Sequence, residues 1–340
     1  MSTPAPRQRL LSVLRKETVD RPPVICTGGM MNAAIVEIME KTGHRLPEAH
    51  FSGRKMAALA EAVAESTGFE SIGVPFCMTV EAELFGSRID FGSLTCEPKI
   101  QSEIFPSIAK VRVKSAAARA GRTAVVAEAV SLLSQRQTDM PVVATLTGPV
   151  TVAASIVDPV TFLKELRTRR ADAHQVLGEV TAVLTEYAGD LIAAGASVIA
   201  IGDPTATIEI LGPKLFQEFA VRYLNDLVTG IHALGVPAIV HICGKLGSGA
   251  RLVAELAGDA ISADAMVNLK GLKAESPNLT TMGNLSTYLL QWGSPDKVAQ
   301  RASELVRDGV DIIAPACGLS TSTTVETIRA MTAAVKAEIA

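Results

Sequence analysis

Short runs rich in β-branched residues recur along this chain between longer stretches of helical periodicity, and each run ends in Gly, Pro, Asp, Asn or Cys. That alternation is the rhythm of βα units, in which parallel strands are joined by crossover helices. Eight runs can be counted: Val24–Cys26, Ser71–Phe76, Val142–Leu146, Ser197–Ile201, Ala238–Ile242, Ala260–Asp264, Thr280–Asn284 and Asp311–Pro315. Eight units predict an α/β chain closed into a (β/α)8 TIM barrel, with its helices outside. Helical patterns cover Pro159–Arg170, Pro213–Leu234 and Ser294–Asp308, the last opening with a Ser cap followed by Pro. Residues 82–112 mix Gly, Pro and isolated apolar residues without a sustained period, and read as a hairpin or lid inserted near the barrel mouth. The residues before the first run form an N-terminal extension. No repeat, low-complexity tract or long linker divides the chain, so 1–340 reads as a single domain.

The 340 residues are 48% hydrophobic and 20% charged, enough apolar material for a sizeable core. A net charge of −3 gives no global attraction for nucleic acid or anionic lipid, so a small-molecule or protein partner is expected. The polar start lacks the apolar stretch of a secretory signal. Gly or charge interrupts every apolar string before the roughly 20 residues of a membrane span. Both features predict a cytoplasmic protein. Cys26, Cys77, Cys96, Cys243 and Cys317 do not read as a disulfide framework in a chain of this kind, and metal binding or burial is expected of each.

His241 and Cys243 are two apart at the end of the fifth run, and strand side chains alternate with period two, so both point to one side. Cys317 follows the eighth run, and barrel closure would bring it to the same C-terminal rim, where catalytic residues of this fold gather. One imidazole and two thiolates match a three-ligand catalytic zinc site with a fourth position for water or substrate. Sulfur ligands disfavour magnesium and calcium. The competing reading makes the two cysteines small buried hydrophobes and His241 a hydrogen-bonded core residue. Two thiolates and a neutral imidazole would cancel the charge of Zn²⁺, which suits activation of an incoming thiol; zinc hydrolases more often use His and carboxylate ligands.

Other strand-end residues carry two readings each. Asp264 is a candidate fourth zinc ligand or ligand contact, and equally a helix cap or ion-pair partner. Asp203 and Asn284 are candidate pocket-lining residues, and also ordinary turn formers. Gly28 and Gly29 suit close backbone approach by a ligand, or a tight turn. His44, His50, His174 and His232 are expected to be surface or capping residues.

Several segments carry a resemblance to a known family. Val19-Asp20-Arg21-Pro22-Pro23-Val24 and Leu146-Thr147-Gly148-Pro149-Val150-Thr151 resemble the uroporphyrinogen decarboxylase superfamily. Val74-Pro75-Phe76-Cys77-Met78-Thr79-Val80-Glu81-Ala82-Glu83, and His241-Ile242-Cys243-Gly244 with Cys317, are similar to its zinc-dependent methylcobamide:coenzyme M methyltransferases. The decarboxylases carry an Arg-Gln-Ala-Gly-Arg-Tyr segment after the first strand, whose arginines meet tetrapyrrole carboxylates. Here the chain reads Cys26-Thr27-Gly28-Gly29-Met30-Met31, which speaks against porphyrinogen decarboxylation.

The resemblance implies that zinc binds an acceptor thiol as thiolate, most simply coenzyme M, which attacks the methyl group of a methyl-Co(III) corrinoid and leaves Co(I). The corrinoid would arrive on a partner protein, since this chain lacks the Asp-x-His-x-x-Gly motif of the carriers; zinc would be its own cofactor. Glu81 and Glu83 belong to the resembling segment, yet spacing does not separate a pocket role from a solvated face. The loop Gly318–Glu326 is rich in hydroxyls before a helix, and could hold a sulfonate or simply form a Thr323/Glu326 capping box. The competing functions are a metal-free decarboxylase-like enzyme and a non-catalytic barrel with structural zinc that binds a corrinoid protein.

Overall fold

The computed structural model describes residues 4–112, 121–136 and 138–338. Its strands are β1 (Ile72–Val74), β2 (Arg88–Asp90), β3 (Lys99–Ser102), β4 (Val142–Thr147), β5 (Val198–Gly202), β6 (Ala238–Ile242), β7 (Ala260–Ala263), β8 (Thr281–Leu285) and β9 (Ile312–Pro315). Seven form one curled parallel sheet in the order β1-β4-β5-β6-β7-β8-β9, flanked by helices. All have their C-terminal ends at one rim. The strands from β4 onward are buried on both faces, which is why they read as continuous apolar runs.

The first run makes no full ladder. Val24 forms a single parallel bridge with Ile313; on its other side its carbonyl accepts from Glu70 N at 2.8 Å. Pro22 and Pro23 lack the N–H groups that would extend a ladder toward the N-terminus. Residues 82–112 hold the antiparallel hairpin β2–β3 and the short helical turn Ile108–Lys110.

Helix boundaries follow local chemistry, with departures from the periodic reading. Ser294 Oγ accepts from Lys297 N, Pro295 starts the helix, and Val298, Ala302 and Leu305 bury one stripe. The pattern at 159–170 is instead two elements, a helix Pro159–Thr168 and a return helix Arg170–Ala193. At 213–234 the helical path begins earlier, at Ile208, and bends where Gly212 takes φ +74° ahead of Pro213. It then passes through a wider turn at Phe216–Val221 into Arg222–Ala233.

The N-terminal extension has a definite place. Leu10, Val13 and Leu14 of the helix Pro6–Leu14 pack with Ile25, Val143, Val198, Ile239, Met282 and Ile312, so this helix plugs the inside of the curled sheet. Beside the plug lies a buried ion cluster. Arg9, 1% exposed, donates to Asp20 at 2.7 and 2.9 Å and to Glu70 at 2.8 Å. Arg21 donates to both oxygens of Glu70 at 2.7 Å, and Val24 N adds a further bond at 3.1 Å. Burial opposes the charge on Glu70, but Arg21, the Val24 N–H and Arg9 outweigh it and hold its pKa below the usual carboxylate value.

Removing the charge of Glu70 strands two guanidiniums in the interior, so Glu70→Gln should destabilise by about 3–5 kcal/mol in urea unfolding. The depressed pKa adds a pH signature: the stabilising contribution of Glu70 is complete above its unfolded pKa of about 4.3 and declines as pH falls toward the folded value. The gap between wild type and Glu70→Gln should therefore shrink below about pH 4; a gap that does not narrow contradicts the assignment.

Candidate metal centre

β6 lies between β5 and β7, and its register sets His241 beside Ser262. His241 Nδ1 is 2.9 Å from Ser262 Oγ, and Nε2 is 3.2 Å from Cys243 Sγ. With Nδ1–H donated to Ser262, the Nε2 lone pair faces the sulfur. Cys317 comes in from the loop after β9, and one ligand atom from each of His241, Cys243 and Cys317 lies within 4.8 Å of the others. Each cysteine precedes a glycine that the packing requires. A Cβ on Gly244 (φ +75°) would stand 2.3 Å from Glu209 Oε2, and one on Gly318 2.6 Å from Met30 O.

Hydrogen bonding from Cys243, opposed by burial and assisted by His241, favours the thiolate at Cys317, while the bond to Cys317 and burial push Cys243 up. Half-buried soft donors already arranged around one point, with the imidazole oriented by a hydroxyl, fit a zinc ion. Beneath His241 lies a narrow cleft of about 10 Å³, room for about one water, partly open to solvent and lined by Thr27, Met30, Thr145, Ser262 and Met282 among others.

Asp264 is not part of the trio. Its Oδ2 accepts from Gly244 N at 3.3 Å and its Oδ1 from Met266 N at 3.0 Å, so it ties the loop after Cys243 to the end of β7. Asn284 Nδ2 donates to the carbonyls of Asp264 and Val267 at 2.7 and 2.8 Å and braces that loop from β8. Asp203 is fully buried and accepts from Val150 N, Thr151 N and Thr151 Oγ1 at the start of the helix Pro149–Ile156. Burial, only partly offset by those bonds, raises it to about 6.

Glu81 is also buried, which removes the solvated-face reading. It accepts from Thr147 N at 2.9 Å and Thr147 Oγ1 at 2.8 Å, and desolvation raises its pKa. Glu83 pairs with Arg122, whose other nitrogens reach Cys77 Sγ at 3.2 Å and Thr79 Oγ1 at 2.9 Å. The segment 74–83 thus packs around one buried arginine.

Two expectations need correction. His50 is buried with neither ring nitrogen hydrogen-bonded, not a surface or capping residue, because the helical turn Glu48–Phe51 turns it inward. The cap of the last helix is Thr324, which accepts from Thr327 N, so Thr323 and Glu326 do not form the box. Cys26 and Cys77 are buried and Cys96 half-buried.

Three neighbours of the trio carried no local signal. Ser262 becomes visible only once β6 and β7 are in register. Met30 Sδ lies 4.0 Å from Cys243 Sγ. Glu97, in the hairpin turn, accepts from Asn32 Nδ2 at 3.0 Å, and burial and then the charge of Cys317 raise its pKa.

The family model for uroporphyrinogen decarboxylase (URO-D) matches residues 5–338. The chain belongs to that family. It is 32% identical to the methylcobamide:CoM methyltransferase MtbA of Methanosarcina acetivorans over 95% of each protein. It is 30% identical to MtaA of Methanosarcina barkeri, with the same description, over 96% of each. A structure described as a methyltransferase from Methanosarcina mazei superposes with a TM-score of 0.93 at 30% identity, over 98% of this chain and 99% of that one. Uroporphyrinogen decarboxylase of Myxococcus xanthus aligns over 48% of each chain. The chain therefore stands in the methylcobamide:CoM methyltransferase branch of the URO-D family, and it is a methyltransferase. Among the described residues no helix is long and apolar enough to cross a membrane.

Ser262→Ala should keep the fold and weaken zinc affinity by about 10–100-fold, because the imidazole loses its orienting partner. Competition with a chromophoric chelator measures this, and unchanged affinity would show that Ser262 does not orient His241.

Proposed function

We propose that this enzyme moves a methyl group from a methyl-Co(III) corrinoid protein to a thiol, with coenzyme M the first candidate, using zinc held by His241, Cys243 and Cys317. The observation that carries the reading is the convergence of one imidazole and two thiols within 4.8 Å. Bound there, zinc would supply the Lewis acidity that makes a thiol a thiolate at neutral pH.

The chain's own groups do the rest. Cys243 and Cys317 as thiolates, with neutral His241, balance the cation's charge and leave an acceptor sulfur nucleophilic. Ser262 fixes the imidazole; Asp264 and Asn284 hold the loop that carries Cys243. In the reaction the acceptor sulfur's lone pair forms the S–C bond as the Co–C bond breaks, and the Co–C bonding pair stays on cobalt as Co(I). Asp203 and Glu81, as buried acceptors behind the rim, position the strand ends and need not touch substrate.

The fold belongs to the same proposal. The 23–26 segment, bonded to Ile313 on one side and Glu70 on the other, serves as the eighth stave of a (β/α)8 barrel, and the β2–β3 hairpin as a lid beside its mouth. We also place the enzyme in the cytoplasm as one domain over 1–340.

The deciding experiment offers free methylcobalamin and a panel of thiols to protein with and without zinc, and follows cob(I)alamin by its absorbance. Zinc-dependent Co(I) formation is expected with at least one thiol; its absence with every thiol overturns the proposal. Cys317→Ala should lose both tight zinc, measured by metal analysis, and activity. Full activity in that variant would remove Cys317 from the ligand set.

A further inference from the structure

Among the described residues eight large apolar side chains are exposed; Phe51, Ile104 and Val160 lie on separate segments, and four others follow three strands of the sheet. Among the described residues, Leu234 is the only one at the end of a return helix, on the side opposite the metal centre. Ile210, Met266, Tyr288 and Trp292 lie on segments leaving the C-terminal ends of β5, β7 and β8, ahead of the helices that run back. Tyr288 is 77%, Trp292 74% and Met266 57% exposed.

Tyr288 and Trp292 are four apart on the short helix Thr287–Trp292, which starts directly after β8. Spacing of four puts both on one face. The helix is held against the loop that carries Cys317: Gln291 Nε2 donates to Ser322 Oγ at 2.8 Å, and Thr327 Oγ1 to the Leu290 carbonyl at 2.7 Å. Met266 lies on the turn after the neighbouring strand β7, which is tied to β8 because Asn284 bonds the carbonyls flanking Met266 and Met266 N donates to Asp264. These side chains are thus mounted on a braced rim next to the trio. Exposed Trp and Tyr cost solvation unless covered, and they are the residues on which protein interfaces most often depend.

We propose that the face formed by Met266, Tyr288 and Trp292 is the docking surface for the methylated corrinoid protein. This rests on the methyltransfer reading, which also selects the occupant. The cleft under His241 has room for about one water, about 10 Å³, and is far too small for a cobamide macrocycle. The methyl-bearing cobalt must therefore approach from outside, across the rim, and the protein that holds it covers the segments after β7 and β8.

The test compares two methyl donors on the zinc-loaded enzyme: free methylcobalamin, and a purified B12-binding carrier protein loaded with methylcobalamin. Tyr288→Ala and Trp292→Ala should each raise KM for the carrier about tenfold, while rates with free methylcobalamin change less than about twofold. Leu234→Ser, at the far end, should alter neither. Sedimentation velocity reads the carrier complex without turnover, and it should weaken in the same two variants. Equal losses with both donors, an unchanged carrier KM, or a wild type that does not bind the carrier would overturn the surface. So would a wild-type homodimer that Trp292→Ala dissociates while carrier binding persists. If wild type turns over neither donor, the methyltransfer reading fails, and the sedimentation arm still decides the surface.

Discussion

Three parts of the chain meet on the carboxylate of Glu70: the plugging helix through Arg9, the 20–24 segment through Arg21 and Val24 N, and the lead-in to β1. A charge this deeply buried is tolerable only because both oxygens are paired with guanidiniums. The cluster as a whole need add little net stability. Its importance lies in the penalty for losing one member, which makes the pairing of Val24 between Ile313 and Glu70 all-or-none. The consequence reaches the other end of the sheet. The loop after Val24–Cys26 carries Met30, against Cys243 and Gly318, and Asn32, against Glu97. One wall of the metal centre therefore hangs from a segment whose seat is fixed by an ion cluster at the opposite pole.

The trio itself depends on register. A shift of β6 by one residue against β7 would turn His241 and Cys243 to the other side and part His241 from Ser262. Burial of β6 on both sides makes such a slip costly, since its five residues are all enclosed. The two sulfurs gain from being brought close only when something positive sits between them, because otherwise one must keep its proton. Preorganisation of this kind is better explained by a cation than by packing.

How much of this could be read from the sequence depended on whether the determining interaction was local. Seven of the runs become sheet strands, and His241, Cys243 and Cys317 converge, because period two and parallel topology are enough to predict both. The first run failed as a ladder because the two prolines before it cannot donate. Asp203 and Glu81 were visible as strand-end and loop acids, but their partners, the Val150–Thr151 amides and Thr147, come from another βα unit. Ser262 depends on cross-strand register and Glu97 on the fold-back of the hairpin. The long helix Arg170–Ala193 was obscured because Arg169 and Arg170, at the junction with the preceding helix, break no periodicity.

Size relations then divide the chemistry. The cleft under His241, about 10 Å³, has a lining that is mostly methionine, threonine and aliphatic, so it offers few groups that would compete with the trio for a ligand. The acids near the sulfurs are not free counter-charges. Asp264 and Asp203 are occupied by backbone N–H groups, and Glu97 is kept by Asn32 at the edge. A thiol bound at the trio, as proposed, would thus meet fixed dipoles and two sulfurs rather than mobile charge. On the proposed reaction, a methyl donor too large to enter would present its carbon at the rim, beside which the braced helix after β8 sets its two exposed aromatic rings.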